Sequence, residues 1–160
     1  MPPLTPNPIF MQKAIDLATE NAATGTGGPF GAVIVRAGEI LATGVNSVAA
    51  TNDPTAHAEV VAIRAACAAL ATFQLTGCEI YSSCEPCPMC LAAIYWSRCA
   101  AIYFSNTAAD AAHAGFDDAF LYAEVQKPHS SRSIPTVQLL ADCALVSFDT
   151  WRAREARTDY

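Results

Sequence analysis

Residues 78–105, CEIYSSCEPCPMCLAAIYWSRCAAIYFS, decide the fold. CEIYSS alternates in the manner of a short strand. CEPCPMCLAAIYWSR turns out of it into a helix that starts near Cys87. AAIYFS is β-rich again. A strand, a helix and a second strand thus follow one another in a short span, the alternation of a mixed α/β sheet.

The same reading extends outward. Residues 8–23 place Ile9, Phe10, Ala14, Ile15, Leu17, Ala18 and Ala22 at helical spacing, and TGTGGPFG then breaks the helix. AVIVR and EILATGVN are strands joined by Ala37-Gly38, a hairpin turn. After TNDPT, with Asp53 or Thr55 as cap and Pro54 in the first turn, a helix runs to about Ala71. Beyond residue 105, TAADAAHA reads as helix. GFDDAFLYAEV is a loop with a short helical piece, and KPHSSRSIP is a polar connection. TVQLL is a last strand and 141–157 a final helix. Strands alternating with helices after one hairpin predict an α/β fold in three layers, with a mixed sheet covered on both faces.

Composition bounds the function. The chain has 160 residues, 52% hydrophobic and 15% charged, which suits one well-buried domain. No apolar stretch is long enough to cross a bilayer, and MPPLTPNPIF has no secretory pattern, so no membrane partner and a cytoplasmic location are expected. The net charge of −6 argues against tracking a phosphate backbone. Arg152, Arg154 and Arg157 read as a solvated helix face.

Seven cysteines, an odd number, are expected to be reduced. Cys67, Cys78, Cys99 and Cys143 lie in apolar runs and fit small core residues. Cys84, Cys87 and Cys90 are crowded together. Cys87 and Cys90 stand three apart at a helix start, which turns both sulfurs to one side and favours thiolate. With the imidazole of His57 they make a zinc ligand set. Three protein ligands leave one position for water, whose pKa zinc lowers to about 7. Glu59, two residues from His57, is tethered near the metal without being needed on it, as a proton carrier requires. The rival is a closed site in which Cys84 joins the other three as a structural, catalytically silent Cys3His centre. Pro86 separates Cys84 from the helix, and a closed site gives no reason for Glu59, so the open site is favoured.

His-Ala-Glu followed by Pro-Cys-x-x-Cys is the signature of the zinc nucleobase deaminases. GGPFGAVIV, NDPTAHAEV, SSCEPCPMC, GFDD and a terminal tyrosine widen the match. Together they resemble the bacterial guanine deaminases of the cytidine deaminase-like fold over nearly the whole chain. That resemblance implies a five-stranded sheet between helix layers and one zinc per chain on His57, Cys87 and Cys90. Glu59 would be the proton shuttle. It implies a purine pocket lined by Phe30, Asn46, Asp118 and Tyr160, with Trp96 as a further wall. Asp117 reads instead as a helix cap, and His113 as a surface residue.

The expected reaction is hydrolytic deamination of guanine to xanthine and ammonia. Guanosine, another aminopurine and tRNA adenosine are the alternative substrates. The resemblance also implies a homodimer in which residues 141–160 cross to the partner. Tyr160 would then close the neighbouring pocket. The chain is otherwise read as a single deaminase domain over 1–160.

Overall fold

The computed structural model describes residues 5–159. They fall into two compact units, which divide after Ala119.

The first unit opens with helix α1, Pro8–Ala23, as predicted. Asn7 fixes its start: extended backbone, a side chain accepting the Ile9 N–H at 3.0 Å, and Pro8 where no donor is missed. Strands β1 (Gly31–Arg36) and β2 (Glu39–Val45) form the expected antiparallel hairpin. Ala37 and Gly38 both take positive φ, 52° and 81°, which a tight two-residue connection needs. The other edge of β1 pairs antiparallel with β3 (Cys78–Cys84). The crossover helix α4 (Pro88–Trp96) then returns the chain to β4 (Ala101–Asn106), parallel to β3. The sheet is mixed, four-stranded, in the order β2-β1-β3-β4. A single helical turn, α2 (Val48–Thr51), precedes the long helix α3 (Ala58–Leu70), and α5 (Ala108–His113) follows β4.

Strand alternation builds the layers. Ala32 and Ile34 of β1 pack with Ala58, Ala62 and Ala66 of α3 and Ile94 of α4. Val33 and Val35 pack with Ala14 of α1 on the opposite face. Covered on both sides, β1 is an unbroken apolar run. Burying Ile34 completely contributes roughly 1.5–3 kcal/mol. An acidic residue there would break the sheet from its middle. Gly44 lets α3 settle on β2, since a Cβ there would sit 2.2 Å from the Ala58 carbonyl oxygen and 2.5 Å from the Ala62 nitrogen. That close approach sets the height of the first turn of α3 over the sheet.

Several expectations are corrected. Helix α3 is not capped by Asp53 or Thr55, and Pro54 is not in its first turn. Asp53 Oδ1 accepts both the N–H and the O–H of Thr55, at 2.8 and 2.6 Å, and so closes a local turn instead. His57 takes the cap position of α3 in extended conformation. The fifth strand is also absent: TVQLL, 136–140, is irregular. Val137, Leu139 and Leu140 are 76–77% exposed and Leu140 has a positive φ of 51°. A β-rich pattern yields a strand only where an edge receives its backbone groups, and this segment pairs with none of the described strands.

The remaining chain holds α6 (Ala119–Gln126), a short 3-10 turn at His129–Ser131, and α7 (Ala141–Ala153). The last helix ends at Ala153 rather than at 157. No helix of the described residues is long and apolar enough to cross a membrane.

Candidate metal centre and catalytic site

His57 occupies the cap position of α3, Cys87 that of α4, and Cys90 follows in the first turn of α4. Pro88 presets that turn without wasting a backbone donor. His57 Nδ1 lies 3.6 Å from the Cys87 sulfur and 3.5 Å from the Cys90 sulfur. The three donor atoms all stand within 4.8 Å of one another, the one such group of His, Cys, Asp or Glu among the described residues. Cys87 is 5% and Cys90 0% exposed.

The protonation of this trio shows what it fits. The hydrogen bond from Cys90, helped by His57, pulls the Cys87 thiol down to about 4 against the cost of burial. Cys90 is pushed far up, first as the donor to Cys87 and then by burial. His57 is raised by its hydrogen bond to Cys87. Two buried sulfurs and an imidazole nitrogen converge on one point. Such a cluster would hold a soft dication, and sulfur with nitrogen is the donor set of zinc.

Cys84 stands apart. Its Sγ lies 3.6 Å from the carbonyl oxygen of Thr107, and burial pushes its thiol up to about 11. Cys84 is not among the three clustered donors, so the Cys3His arrangement is not assembled.

Glu59, in the first turn of α3, is only 6% exposed. Its Oε1 accepts the Ser82 hydroxyl at 3.0 Å, and Cys90 lies close enough to influence its titration. Burial holds its carboxyl above the usual range. Such a group, packed against the trio and ligating nothing, is placed to take up and release protons. Ser83, the next residue of β3, turns the other way and accepts the Gly31 N–H at 3.0 Å. Sequence reading passed over both serines. Two adjacent hydroxyls in a largely buried strand were the signal that could have found them.

The expected pocket residues fare differently. The Phe30 ring packs on the core and stands edge-to-face with Phe116, centroids 5.0 Å apart at 85°. Asn46, just past β2, turns Oδ1 toward the Gly28 N–H at 3.4 Å. The Asp118 carboxyl is raised by burial and by the negative Cys87 sulfur, and His57 pulls it the other way, so it lies within electrostatic reach of the trio. Asp117 Oδ1 accepts the Ala119 N–H at 2.9 Å, a local turn one residue ahead of the α6 cap position, and His113 is exposed. Trp96 is at the far end of α4, 62% exposed, with the Arg98 guanidinium 5.9 Å from its ring. At the helical rise it is about 13 Å along the axis from Cys87, so α4 does not bring it to the trio. Tyr160 lies outside the described residues.

Residues 6–106 match the family model described as the cytidine and deoxycytidylate deaminase zinc-binding region. The guanine deaminase of Bacillus subtilis (strain 168) is 51% identical over 151 residues, 94% of this chain and 97% of its own. The X-ray structure of guanine deaminase from Bacillus subtilis superposes with a TM-score of 0.94 at 49% identity, covering 98% of this chain and 99% of that one. The tRNA-specific adenosine deaminase of Aquifex aeolicus (strain VF5) is 48% identical over 92 residues, 58% of this chain and 60% of its own. The chain therefore belongs to the cytidine and deoxycytidylate deaminase zinc-binding family, with its full-length likeness among the guanine deaminases.

Proposed function

We propose that this protein hydrolyses guanine to xanthine and ammonia. One observation carries the reading. A buried carboxylate, Glu59, is packed against the His57, Cys87 and Cys90 trio without belonging to it. The likeness to Bacillus subtilis guanine deaminase over 94% of the chain supplies the substrate.

A zinc ion held by His57, Cys87 and Cys90 supplies Lewis acidity and lowers the pKa of water within its reach to about 7. Glu59 accepts the proton of the water that attacks C2 and passes it to ring N3. It then takes the remaining proton from the hydroxyl on C2 and delivers it to the amino group, so that the C2–N bond breaks, ammonia leaves and C2 becomes the carbonyl of xanthine. The Ser82 hydroxyl holds the carboxylate in place between these transfers. Phe30 offers a flat apolar ring to the base. Asn46 can donate and accept along a base edge, and Asp118 accepts base N–H groups, of which guanine presents more than cytosine.

The tRNA adenosine reading has a weaker footing. The tRNA-specific relative matches over 58% of this chain, and a net charge of −6 opposes a phosphate backbone. Ammonia release from guanine, guanosine, adenine, cytosine and cytidine decides the substrate. Guanine is expected to lead. Faster release from guanosine would move the substrate to the nucleoside, and no release from any of them would overturn the reading.

The working unit proposed is a homodimer. Each chain is one functional domain, and its segment 141–160 crosses to the partner and brings Tyr160 to the neighbouring pocket. Ile134, Val137, Leu139 and Leu140 support this, each 76–77% exposed, because apolar side chains in such a run seek a cover. Trp96, exposed at the end of α4, becomes a wall of the pocket only through such an assembly. The cytoplasm is the proposed location, since the seven free cysteines need a reducing compartment.

A further inference from the structure

Asn21 is a polar side chain buried to 5% exposure near the end of α1, where an amphipathic helix would place an apolar one. Its amide donates two hydrogen bonds of 2.9 Å, to the carbonyl oxygens of Gly28 and Asn46. Both partners can only accept, so the amide nitrogen must face them, and both of its donors are used.

Those two carbonyls belong to the two loops that carry the base-recognising side chains. The Gly28 oxygen also accepts the Phe30 N–H at 2.8 Å, and the Phe30 oxygen accepts the Asn46 N–H at 3.1 Å. The Phe30 ring lies so close over Gly28 that a Cβ there would meet it at 3.3 Å. Gly27 seals the arrangement: a Cβ on it would fall 2.0 Å from the Asn46 oxygen and 2.9 Å from Asn21 Nδ2. One buried amide thus ties α1 to the turn before Phe30 and to the end of β2 at Asn46.

We infer that Asn21 is a positioning residue for purine recognition, which sets the separation and tilt of Phe30 and Asn46 without touching the base. The inference rests on the purine reading of the site. It assigns Asn21 to base binding and not to metal binding or proton transfer, since its partners are the loops and not the trio. Asn21→Asp keeps the shape and replaces two donors by an acceptor aimed at two carbonyls. Asn21→Ser keeps a single donor, and Gly27→Ala forces the same contact apart from the other side.

The test uses the zinc-loaded full chain and two measurements. Guanine kinetics should show KM raised about tenfold or more in Asn21→Asp. Asn21→Ser should fall in between, Gly27→Ala should behave alike, and kcat and zinc content should stay near wild type. Hydrogen exchange without substrate should rise across 26–31 and 45–47 and stay unchanged in β3 and α4. If Asn21→Asp does not fold, Asn21→Ser and Gly27→Ala decide. Unchanged KM with unchanged loop exchange would overturn the inference. So would a loss of kcat, zinc and Tm together with normal KM in the surviving protein, because that pattern belongs to a purely structural asparagine. A wild-type chain that prefers another aminopurine would displace the guanine reading alone. The same KM comparison on that base, with the exchange data, would still judge Asn21.

Discussion

The Ser82 hydroxyl donates to Glu59 Oε1 across 3.0 Å, with the two residues only 2% and 6% exposed. Buried away from solvent, the serine fixes the carboxylate proposed to carry the proton transfers. Ser82→Ala should lower kcat for guanine by about tenfold or more, the scale of a buried group left short of a partner. KM and zinc content should stay close to wild type. A variant with wild-type kcat would show that Glu59 needs no such support.

Glu59 itself ligates nothing in the proposed centre. Glu59→Gln keeps its size and removes its basicity, so zinc content and unfolding midpoint should be retained. Turnover should fall by about 10²–10⁴-fold or more, since one carboxylate serves several proton transfers. Steady-state ammonia release alongside metal analysis checks this. Activity within a few-fold of wild type would remove the group from the mechanism.

The metal prediction separates the cysteines. Cys87→Ser and Cys90→Ser should each lose zinc, because each takes one sulfur from a three-donor set. Cys84→Ser should keep about one zinc per chain, its thiol being engaged with the Thr107 carbonyl instead. Metal analysis on dialysed protein reads both. Zinc loss in Cys84→Ser would revive the closed Cys3His centre.

A cap with a defined pH dependence secures the start of α5. Thr107 accepts the Asp110 N–H, and Asp110 returns the bond to the Thr107 N–H and O–H at 2.8 and 2.6 Å. Thr107→Ala should lower Tm by about 2–4 °C. The Thr107 hydroxyl, followed by its backbone N–H, holds the Asp110 carboxyl below its ordinary 3.8. A lowered carboxyl stabilises fully above its unfolded value and loses that contribution as pH falls through the folded one. The Tm difference between wild type and Asp110→Asn should therefore be constant above about pH 5 and shrink below 3.8. A difference that grows in acid would reverse the sign.

What the sequence made legible was local. The hairpin at Ala37-Gly38, helix α1 to the residue, and the start of α4 at Cys87 follow from periodicity, caps and turn chemistry acting over a few positions. The cluster of His57, Cys87 and Cys90 was legible because metal chemistry restricts residue type as well as spacing. Asn21 and Ser82 were not, since each acts on a residue more than twenty positions away, and only the folded sheet brings them together. The strand expected at 136–140 failed for a related reason: Val137 and Leu139 have β-rich neighbours but no edge to pair with among the described strands. The same exposed run is what makes the end of the chain testable.

The final prediction concerns that end. Ile134, Val137, Leu139, Leu140, Leu145, Val146 and Phe148 are all more than half exposed, within fifteen positions of one another. At roughly 25 cal/mol per Å² of apolar surface removed from water, covering such a run stabilises whatever covers it. A two-fold exchange of the segment between identical chains supplies that cover at low cost. If residues 141–160 close the neighbouring pocket, removal of the last four residues should sharply reduce guanine turnover with zinc still bound. Sedimentation should give a dimer for the full chain. Mixing inactive Glu59→Gln chains with inactive chains lacking the last four residues should restore part of the activity. A mixed dimer would hold one pocket with both Glu59 and a complete partner segment. Mixed chains that dimerise and stay inactive would show that the segment serves its own pocket, and a fully active monomer would remove the exchange altogether.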